Sequence, residues 1–209
     1  MKRITRKKHL EMRLQSIPFH PKPNVNLEQY TTPSIIASDL MWNAFSLGDI
    51  DGKTIFDLGC GTGIFAIASA LMGASLAVGV DVDEDSIDLA NEVSCNLNVD
   101  NVKFIKSDIA DFNCSYDVNT VLQNPPFGSQ RRVDSGQDLK FVKKAIDLET
   151  EVLYSFHMAS TEEFLINYYD ENNLDITHIF RYNFPIPKIY DFHIKDNRDV
   201  SVIAIRAEL

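Results

Sequence analysis

Short apolar runs alternate with amphipathic stretches along most of this chain, and this alternation limits the fold more strongly than any other feature. Runs typical of strands lie at 54–58, 77–81, 102–105, 118–123, 151–156 and 174–181. Helical patterns lie at 1–16, 33–47, 64–71, 86–96, 138–149 and 161–171. Such an alternation predicts an α/β fold, a mostly parallel sheet with helices on both faces. Ligands of these sheets bind beyond the carboxyl ends of the strands.

The two ends of the chain depart from this alternation. Prolines in the segment 18–23 predict an extended connector after the first helix. Residues 1–26 are therefore predicted to form a basic arm and connector, and residues 27–209 a single domain. Near the C-terminus, apolar residues at 190–194 and 200–207 flank a polar stretch, which predicts a terminal antiparallel hairpin.

Two helix starts carry capping signals. Thr31 or Thr32 is expected to cap the helix at 33–47, since Pro33 suits its first turn. Asp85 is expected to cap the helix at 86–96.

Charge is distributed unevenly in this chain of 209 residues and net charge −10. The basic residues of the first segment are Lys2, Arg3, Arg6, Lys7, Lys8 and Arg13, against one acid, Glu11. A basic arm on an acidic body is poorly suited to blanket binding of nucleic acid, but it offers a local contact for a polyanion. A solvated, frayed terminus has the same composition, and both interpretations stay open at this point.

Cysteine usage and hydropathy point to a cytoplasmic protein without a metal centre. Cys60, Cys95 and Cys114 have neither metal-ligand spacing nor the even number of a disulfide framework. No run approaches the ~18 apolar residues needed to span a bilayer. The basic N-terminus is not followed by the apolar segment of a secretory signal.

The segment from Asp57 to Gly63 follows the first predicted strand and opens the next helix. Its glycines at 59, 61 and 63 permit sharp turns and close approach of the backbone to a ligand. A dinucleotide site would show G-x-G-x-x-G, because its pyrophosphate sits over the helix N-terminus. Ile64 stands where that pattern needs its third glycine, so the spacing favours a cofactor without phosphates.

Two aspartates follow the next two predicted strands. Asp81 ends the second strand, where a carboxylate can accept both hydroxyls of a ribose. Asp108 follows the third strand, placed to accept from an exocyclic adenine amine, with the Ile109 N–H close to a ring nitrogen. Either aspartate alone would be interpreted as a cap or turn residue. Their position after a glycine loop favours cofactor binding instead.

The segment Asn124-Pro125-Pro126-Phe127 follows the fourth predicted strand. Its Asn124 side-chain oxygen and Pro125 carbonyl can accept from the two N–H bonds of a planar amine, drawing the nitrogen toward a tetrahedral shape. The prolines stiffen the segment, and Phe127 can stack on a flat base. A simple turn is the alternative. Together with the glycine loop, the segment predicts methyl transfer from a sulfonium cofactor to nitrogen.

These motifs resemble those of the class I, S-adenosylmethionine-dependent amine methyltransferases with an Asn-Pro-Pro-Phe motif. Within that class the chain is similar to the methyltransferase-like protein five family, which methylates adenine N6 in small-subunit ribosomal RNA. The shared segments are 27–30, 57–63, 80–85, 124–128, 154–157, 181–182 and 192–193. The resemblance implies a Rossmann-like, seven-stranded fold and S-adenosylmethionine as cofactor. It also implies that Gln29 and Thr32 line the methionine end of the cofactor. Further cofactor contacts are implied at Gly59, Thr62, Ile64, Asp81, Asp108 and Ile109.

The predicted reaction is methylation of adenine N6 in structured RNA, with the target base flipped out of its stack. Arg131 and Arg132 lie in a loop that could close over RNA, and with Lys2, Arg3, Arg6, Lys7 and Lys8 they are the candidate RNA contacts. The resemblance also implies a small zinc-binding activator protein as partner. The chain departs from the family pattern at Thr31, Thr62 and Met158, the last standing where a lysine that could contact RNA is common.

Two alternative functions remain at the level of sequence. Glutamine methyltransferases of release factors use the same loop, although they usually carry Tyr where this chain has Phe127 and a separate N-terminal helical domain. A cofactor-binding scaffold for ribosome assembly, without catalysis, would conserve the glycine loop but has no need of the Asn124 segment.

Overall fold

The computed structural model describes residues 4–20, 22–23, 29, 31–127, 136–186 and 198–209. The helices are α1 (Lys7–Leu14), α2 (Ser34–Ser46), α3 (Ile64–Leu71), α4 (Glu84–Asn96), α5 (Gln137–Asp147) and α6 (Glu162–Glu171). The strands are β1 (Thr54–Leu58), β2 (Leu76–Asp81), β3 (Val102–Lys106), β4 (Thr120–Gln123), β5 (Val152–Met158), β6 (Asp175–Ile186) and β7 (Arg198–Glu208). The predicted alternation of strands and helices is confirmed.

Within the described ranges the strands form one seven-stranded sheet in the order β3-β2-β1-β4-β5-β7-β6. The first five strands pair in parallel, and β7 pairs antiparallel with both β5 and β6. Chain order runs outward from β1 to β3 in one direction and from β4 to β5 in the other. The sheet therefore has a switch point between β1 and β4, where parallel sheets of this kind bind their ligands.

Alternate residues of each inner strand face opposite layers of helices. In β1, Ile55 belongs to a core cluster that contains residues of α1, α2, α3 and α4, whereas Phe56 belongs to a second cluster that contains residues of α5 and α6. Strands covered on both faces need apolar residues at successive positions, which is why the strand runs in the sequence are continuous rather than alternating.

The predicted antiparallel hairpin at the C-terminus is confirmed, but its first strand was assigned to the wrong segment. The partner of β7 is β6, which continues through Arg181 to Ile186 and pairs with β7 along its whole length. The segment 190–194 lies outside the described residues. Strand β6 has twelve residues and is longer than the predicted strand at 174–181. Polar residues such as Asn183 interrupt its apolar pattern, and such an interruption usually indicates the end of a strand when the pairing is unknown.

Both predicted helix caps were also wrong. The cap of α4 is Asp83, whose side chain accepts from the Ser86 N–H, and Asp85 lies inside the first turn. Helix α2 begins after Pro33 without a side-chain cap. Thr32 is instead engaged in the candidate active site described below.

Part of the predicted arm is packed on the domain. Leu10 and Leu14 of α1 are fully buried in the core cluster that α2 and α3 share, and Lys7 forms an ion pair with Asp39 of α2. Burial of α1 shows that residues 7–14 pack on the domain, but it does not locate a domain boundary. The boundary at residue 26 therefore stays a prediction. None of the helices in the described ranges is both long and apolar enough to cross a bilayer.

A buried ion pair ties the amino edge of the sheet to the last strand. Arg206 of β7 donates from Nε and Nη2 to both carboxylate oxygens of Asp49, at 2.7 and 3.0 Å. The Tyr154 hydroxyl donates to the same carboxylate at 2.5 Å, and Asp49 and Arg206 are only 6% and 5% exposed. The pair lies at the edge opposite to the carboxyl ends of β1 and β4, so its role is in the fold.

Candidate active site

A cavity of about 680 Å³ lies at the carboxyl ends of β1, β2 and β4, beside the switch point of the sheet. This is the size range of small-molecule sites. Most of the predicted site residues line it: Gln29, Thr32, Asp57, Gly59, Gly61, Thr62, Ile64, Asp81, Asp108, Ile109, Asn124 and Pro126. These residues span almost a hundred positions of sequence, and the parallel arrangement of β1, β2, β3 and β4 brings them to one edge.

The three glycines of the loop have two different roles. Gly61 has φ +51°, and no heavy atom lies within 4 Å of the position of a Cβ, so its backbone faces open space. A Cβ at Gly59 would lie 2.9 Å from the Phe141 ring of α5, and one at Gly63 would lie 2.7 Å from the Phe104 ring. Gly61 therefore leaves room for a ligand, whereas Gly59 and Gly63 are required by packing against neighbouring side chains.

Asp57 of β1 carries a buried carboxyl group that contacts the first turn of α3. Its Oδ2 accepts from the Ala66 N–H at 2.9 Å, and the residue is 1% exposed. Burial raises the pKa of this carboxyl from 3.8 to about 7; the Ala66 hydrogen bond partly offsets the rise, and the nearby Asp81 carboxylate adds to it. Burial disfavours the ionised form of a carboxyl group, whereas a cation placed beside it favours that form and lowers its pKa.

Asp81 organises the loop and also faces the cavity. Its Oδ2 accepts from the Gly61 N–H at 2.7 Å, and its Oδ1 accepts from the Asp83 N–H at 2.9 Å. Burial raises the pKa of Asp81 above its ordinary value. Each carboxylate oxygen can accept a second hydrogen bond, so Asp81 retains the capacity to accept from a diol.

The segment after β3 forms the far wall of the cavity. Asp108 is exposed, and its Oδ1 accepts from the Ala110 N–H at 2.9 Å. Lys144 of α5 is 8% exposed, and its ammonium donates to the Phe112 carbonyl at 2.9 Å. This contact holds the segment against α5 and keeps Ile109 on the cavity wall.

Asn124 is fixed by a residue that lies 92 positions earlier in the chain. Its Nδ2 donates to the Thr32 hydroxyl at 3.0 Å, and Thr32 is 4% exposed. Its Oδ1 is buried and has no hydrogen-bond partner among the described residues. A buried acceptor without a partner is costly, so its position on a cavity wall marks it as a group that a ligand N–H can satisfy.

The remaining residues of this segment are held by the core. Pro125 is buried, and the ring of Phe127 meets Phe184 edge to face, with 6.4 Å between the centroids. Pro126 lines the cavity together with Asn124, whereas Pro125 and Phe127 are not among the lining residues. Packing of Phe127 against β6 thus makes the segment rigid, and stacking of its ring on a base stays a prediction.

The cavity has lining residues that the sequence did not indicate. They include His20 from the connector, Val82 and Ser86 after β2, and Gln137, Lys140, Lys143 and Lys144 on α5. The amphipathic pattern of α5 was recognised, but nothing in that pattern distinguishes a lysine at a cavity mouth from a solvated one. His20 carried no signal, because its role depends on how the connector folds back.

The predicted RNA contacts are only partly visible. Lys2, Arg3, Arg131 and Arg132 lie outside the described residues. Arg6 and Lys8 are exposed beside the buried face of α1, and Lys7 is paired with Asp39. Arg6, Lys7 and Lys8 do not line the cavity, and contact of any of these seven residues with RNA stays a prediction.

The site and the fold have close counterparts in known proteins. Residues 35–151 match the family described as Methyltransferase small domain. A protein of Methanocaldococcus jannaschii without an assigned function is 39% identical over 98% of this chain and 95% of its own length. The rRNA N(6)-adenosine-methyltransferase METTL5 of Danio rerio is 32% identical over 95% of this chain and 97% of its own. The crystal structure of a candidate RNA methyltransferase of Pyrococcus horikoshii has a TM-score of 0.87 and 36% identity, covering 98% of both chains. The chain therefore belongs to the methyltransferase small domain family, and within it to the METTL5 family.

Proposed function

We propose that this protein transfers a methyl group from S-adenosylmethionine to the N6 amine of an adenine in structured RNA, with small-subunit ribosomal RNA as the substrate. The single observation that carries the proposal is the buried Oδ1 of Asn124, which lies on the cavity wall without a partner. An exocyclic amine presents two N–H bonds, so this oxygen can accept one of them. Membership in the METTL5 family supports adenine as the base that carries this amine.

The residues on the cavity wall suit this cofactor from one end to the other. Asp81 is the acceptor for the ribose hydroxyls, and Asp108 with Ile109 receives the adenine ring. Gly61 leaves room for the cofactor beside the loop, and Gln29 and Thr32 are the proposed contacts of its methionine end. When bound, the cofactor supplies an electrophilic methyl group on a positively charged sulfur.

The residues of the Asn124 segment act on the nucleophile. The amine of adenine is a poor nucleophile, because its lone pair is delocalised into the ring. Acceptance of its N–H bonds by Asn124 Oδ1 and the Pro125 carbonyl localises that lone pair and aims it at the methyl group. The Thr32 hydroxyl positions Asn124 before the substrate arrives, so little alignment entropy is lost during the reaction. The ring of Phe127 supports the flipped base.

RNA is favoured over a protein substrate by relatives that align along nearly the whole chain. The METTL5 proteins of zebrafish and fly align over 95% and 96% of this chain. A protein named as an N5-glutamine methyltransferase aligns over only 46% of it. By the same resemblance we propose a small zinc-binding activator as partner and a cytoplasmic location; co-purification and cell fractionation test the two.

Transfer of labelled methyl groups distinguishes the candidate functions. The purified protein is incubated with labelled S-adenosylmethionine and either ribosomal RNA fragments or a release factor, and the RNA is digested to nucleosides. We expect the label in N6-methyladenosine. Label in a glutamine of the release factor would show that the substrate is a protein and not RNA. Tight binding of S-adenosylhomocysteine without any methyl transfer would indicate a scaffold.

The variant Asn124→Ala tests the role of the orphan oxygen. We expect turnover to fall by about 10²–10³-fold, as for loss of one positioned transition-state group, with affinity for S-adenosylhomocysteine unchanged. Asn167→Ala, an exposed asparagine on α6, is the matched control. Loss of cofactor affinity in place of turnover would assign the Asn124 segment to cofactor binding.

A further inference from the structure

His20 is the one residue of the described connector, residues 18–20 and 22–23, that lines the cavity. Its side chain is 6% exposed, although the preceding residue, Phe19, is 72% exposed. A polar ring that is nine-tenths buried at a cavity wall, in an otherwise open segment, is unusual, because burial of a polar group is costly unless a partner satisfies it.

The backbone N–H of Lys22 determines the tautomer of a neutral His20 ring. The Lys22 N–H donates to Nδ1 at 3.1 Å, so Nδ1 carries the lone pair. In a neutral imidazole the proton is then on Nε2. His20 therefore offers an N–H donor at Nε2.

This donor has no acceptor in the described residues. Asp83 Oδ2 lies 3.2 Å from Nε2, but the two atoms make no hydrogen bond. That oxygen already accepts from Gln29 Nε2 at 3.0 Å and from the Ser86 N–H and hydroxyl at 3.1 and 2.8 Å. The histidine N–H therefore makes no hydrogen bond within the described residues and is available to a ligand.

The ligand atom that fits this donor follows from the neighbouring carboxylate. The Asp83 N–H donates to Asp81 Oδ1, and His20 Nε2 lies 3.2 Å from Asp83 Oδ2, so His20 and Asp81 both adjoin Asp83. A carboxylate only accepts, whereas a ribose hydroxyl both donates and accepts. Asp81 can take the hydroxyl protons but leaves the hydroxyl oxygens without a donor.

We propose that His20 binds the cofactor ribose, with Nε2–H donating to a hydroxyl oxygen whose own proton is accepted by Asp81. The proposal rests on the ribose role of Asp81 in the proposed function. Asp81 and His20 then form a complementary acceptor and donor pair around one diol. The connector thereby becomes part of the cofactor site, so the N-terminal segment that carries α1 is ordered against the cofactor.

Two polar substitutions isolate the Nε2 donor. His20→Gln places an amide N–H near the position of Nε2, whereas His20→Asn keeps an acceptor for the Lys22 N–H but has no group that reaches the ribose. By calorimetry we expect His20→Asn to bind S-adenosylhomocysteine about tenfold more weakly than the wild type, as for loss of one hydrogen bond in a buried site. His20→Gln is expected to bind nearly as the wild type does. His9→Asn, an exposed histidine on α1, is the matched control.

Cofactor fragments locate the contact. The loss in His20→Asn is expected to persist for 5′-methylthioadenosine, which keeps the ribose but lacks the amino-acid end. It is expected to vanish for the 2′,3′-dideoxy analogue of S-adenosylhomocysteine, which has no hydroxyls. An equal loss for the dideoxy analogue, a loss limited to S-adenosylhomocysteine, or unchanged affinity in His20→Asn would each overturn the proposal.

The outcome is separable from that of the proposed function. Wild-type protein that binds S-adenosylhomocysteine but methylates no RNA would refute the proposed function and leave the His20 comparison intact. Melting temperatures of the variants without ligand, equal to that of the wild type, exclude unfolding as the cause of a lost affinity.

Discussion

Replacement of Asp57 by Asn should make the ligand-free protein more stable at alkaline pH. The carboxyl group of Asp57 is 1% exposed, and burial raises its pKa from 3.8 to about 7. The folded state therefore holds a proton that the unfolded state releases. The stability linked to this group is fully present below pH 3.8 and is lost as the pH rises through 7.

The magnitude follows from the two pKa values. Between pH 5 and pH 8 the unfolded carboxyl is almost fully ionised, whereas the folded one goes from protonated to mostly ionised. Integration of that difference predicts a loss of about 3 kcal/mol in the free energy of unfolding of the wild type over this interval. An Asn side chain can still accept from the Ala66 N–H and has no charge to desolvate, so Asp57→Asn should lack this slope.

The assay is urea unfolding of wild type and Asp57→Asn at pH 5, 6, 7 and 8 without ligand, followed by circular dichroism. The difference between the free energies of unfolding of the two proteins should be smallest at pH 5 and should grow by about 3 kcal/mol by pH 8, with the variant more stable. Asp100→Asn, an exposed carboxylate before β3, is the control and should run parallel to the wild type. Parallel profiles for Asp57→Asn and the wild type would refute the assignment of a burial-raised pKa.

Two further variants test contacts between distant parts of the chain. Thr32→Val removes the hydroxyl that accepts from Asn124 Nδ2; we expect kcat for RNA methylation, measured at saturating cofactor, to fall about tenfold, and Thr32→Ser to retain most activity. Asp49→Ala leaves the buried Arg206 guanidinium with the exposed Glu208 as its remaining ion-pair partner, and a loss of about 3 kcal/mol is expected in urea unfolding. The double variant Asp49→Ala/Arg206→Met should be more stable than the single one, and a double variant less stable than Asp49→Ala would contradict the assigned cost of removing the buried partner.

The strand and helix elements were largely predictable from sequence because their signals are local. β1 and α3 have the predicted bounds, Thr54–Leu58 and Ile64–Leu71, since a continuous apolar run and a glycine turn specify them within a few residues. The partner of β7 was not predictable, because pairing of β6 with β7 is decided by which hydrophobic faces meet in three dimensions.

The residues of the candidate site also fall into two groups, those that local sequence predicted and those that only the tertiary structure placed. The sequence alone determined the glycine loop, Asp81, Asp108 and the Asn124 segment, because a parallel sheet must bring the residues that follow its strands to one edge. Only the tertiary structure decided that Thr32 holds Asn124 and that His20 closes the cavity wall, since both depend on how the chain before β1 folds back over that edge. Local pattern specifies backbone geometry, whereas a contact between residues 92 positions apart is fixed by packing of the whole chain.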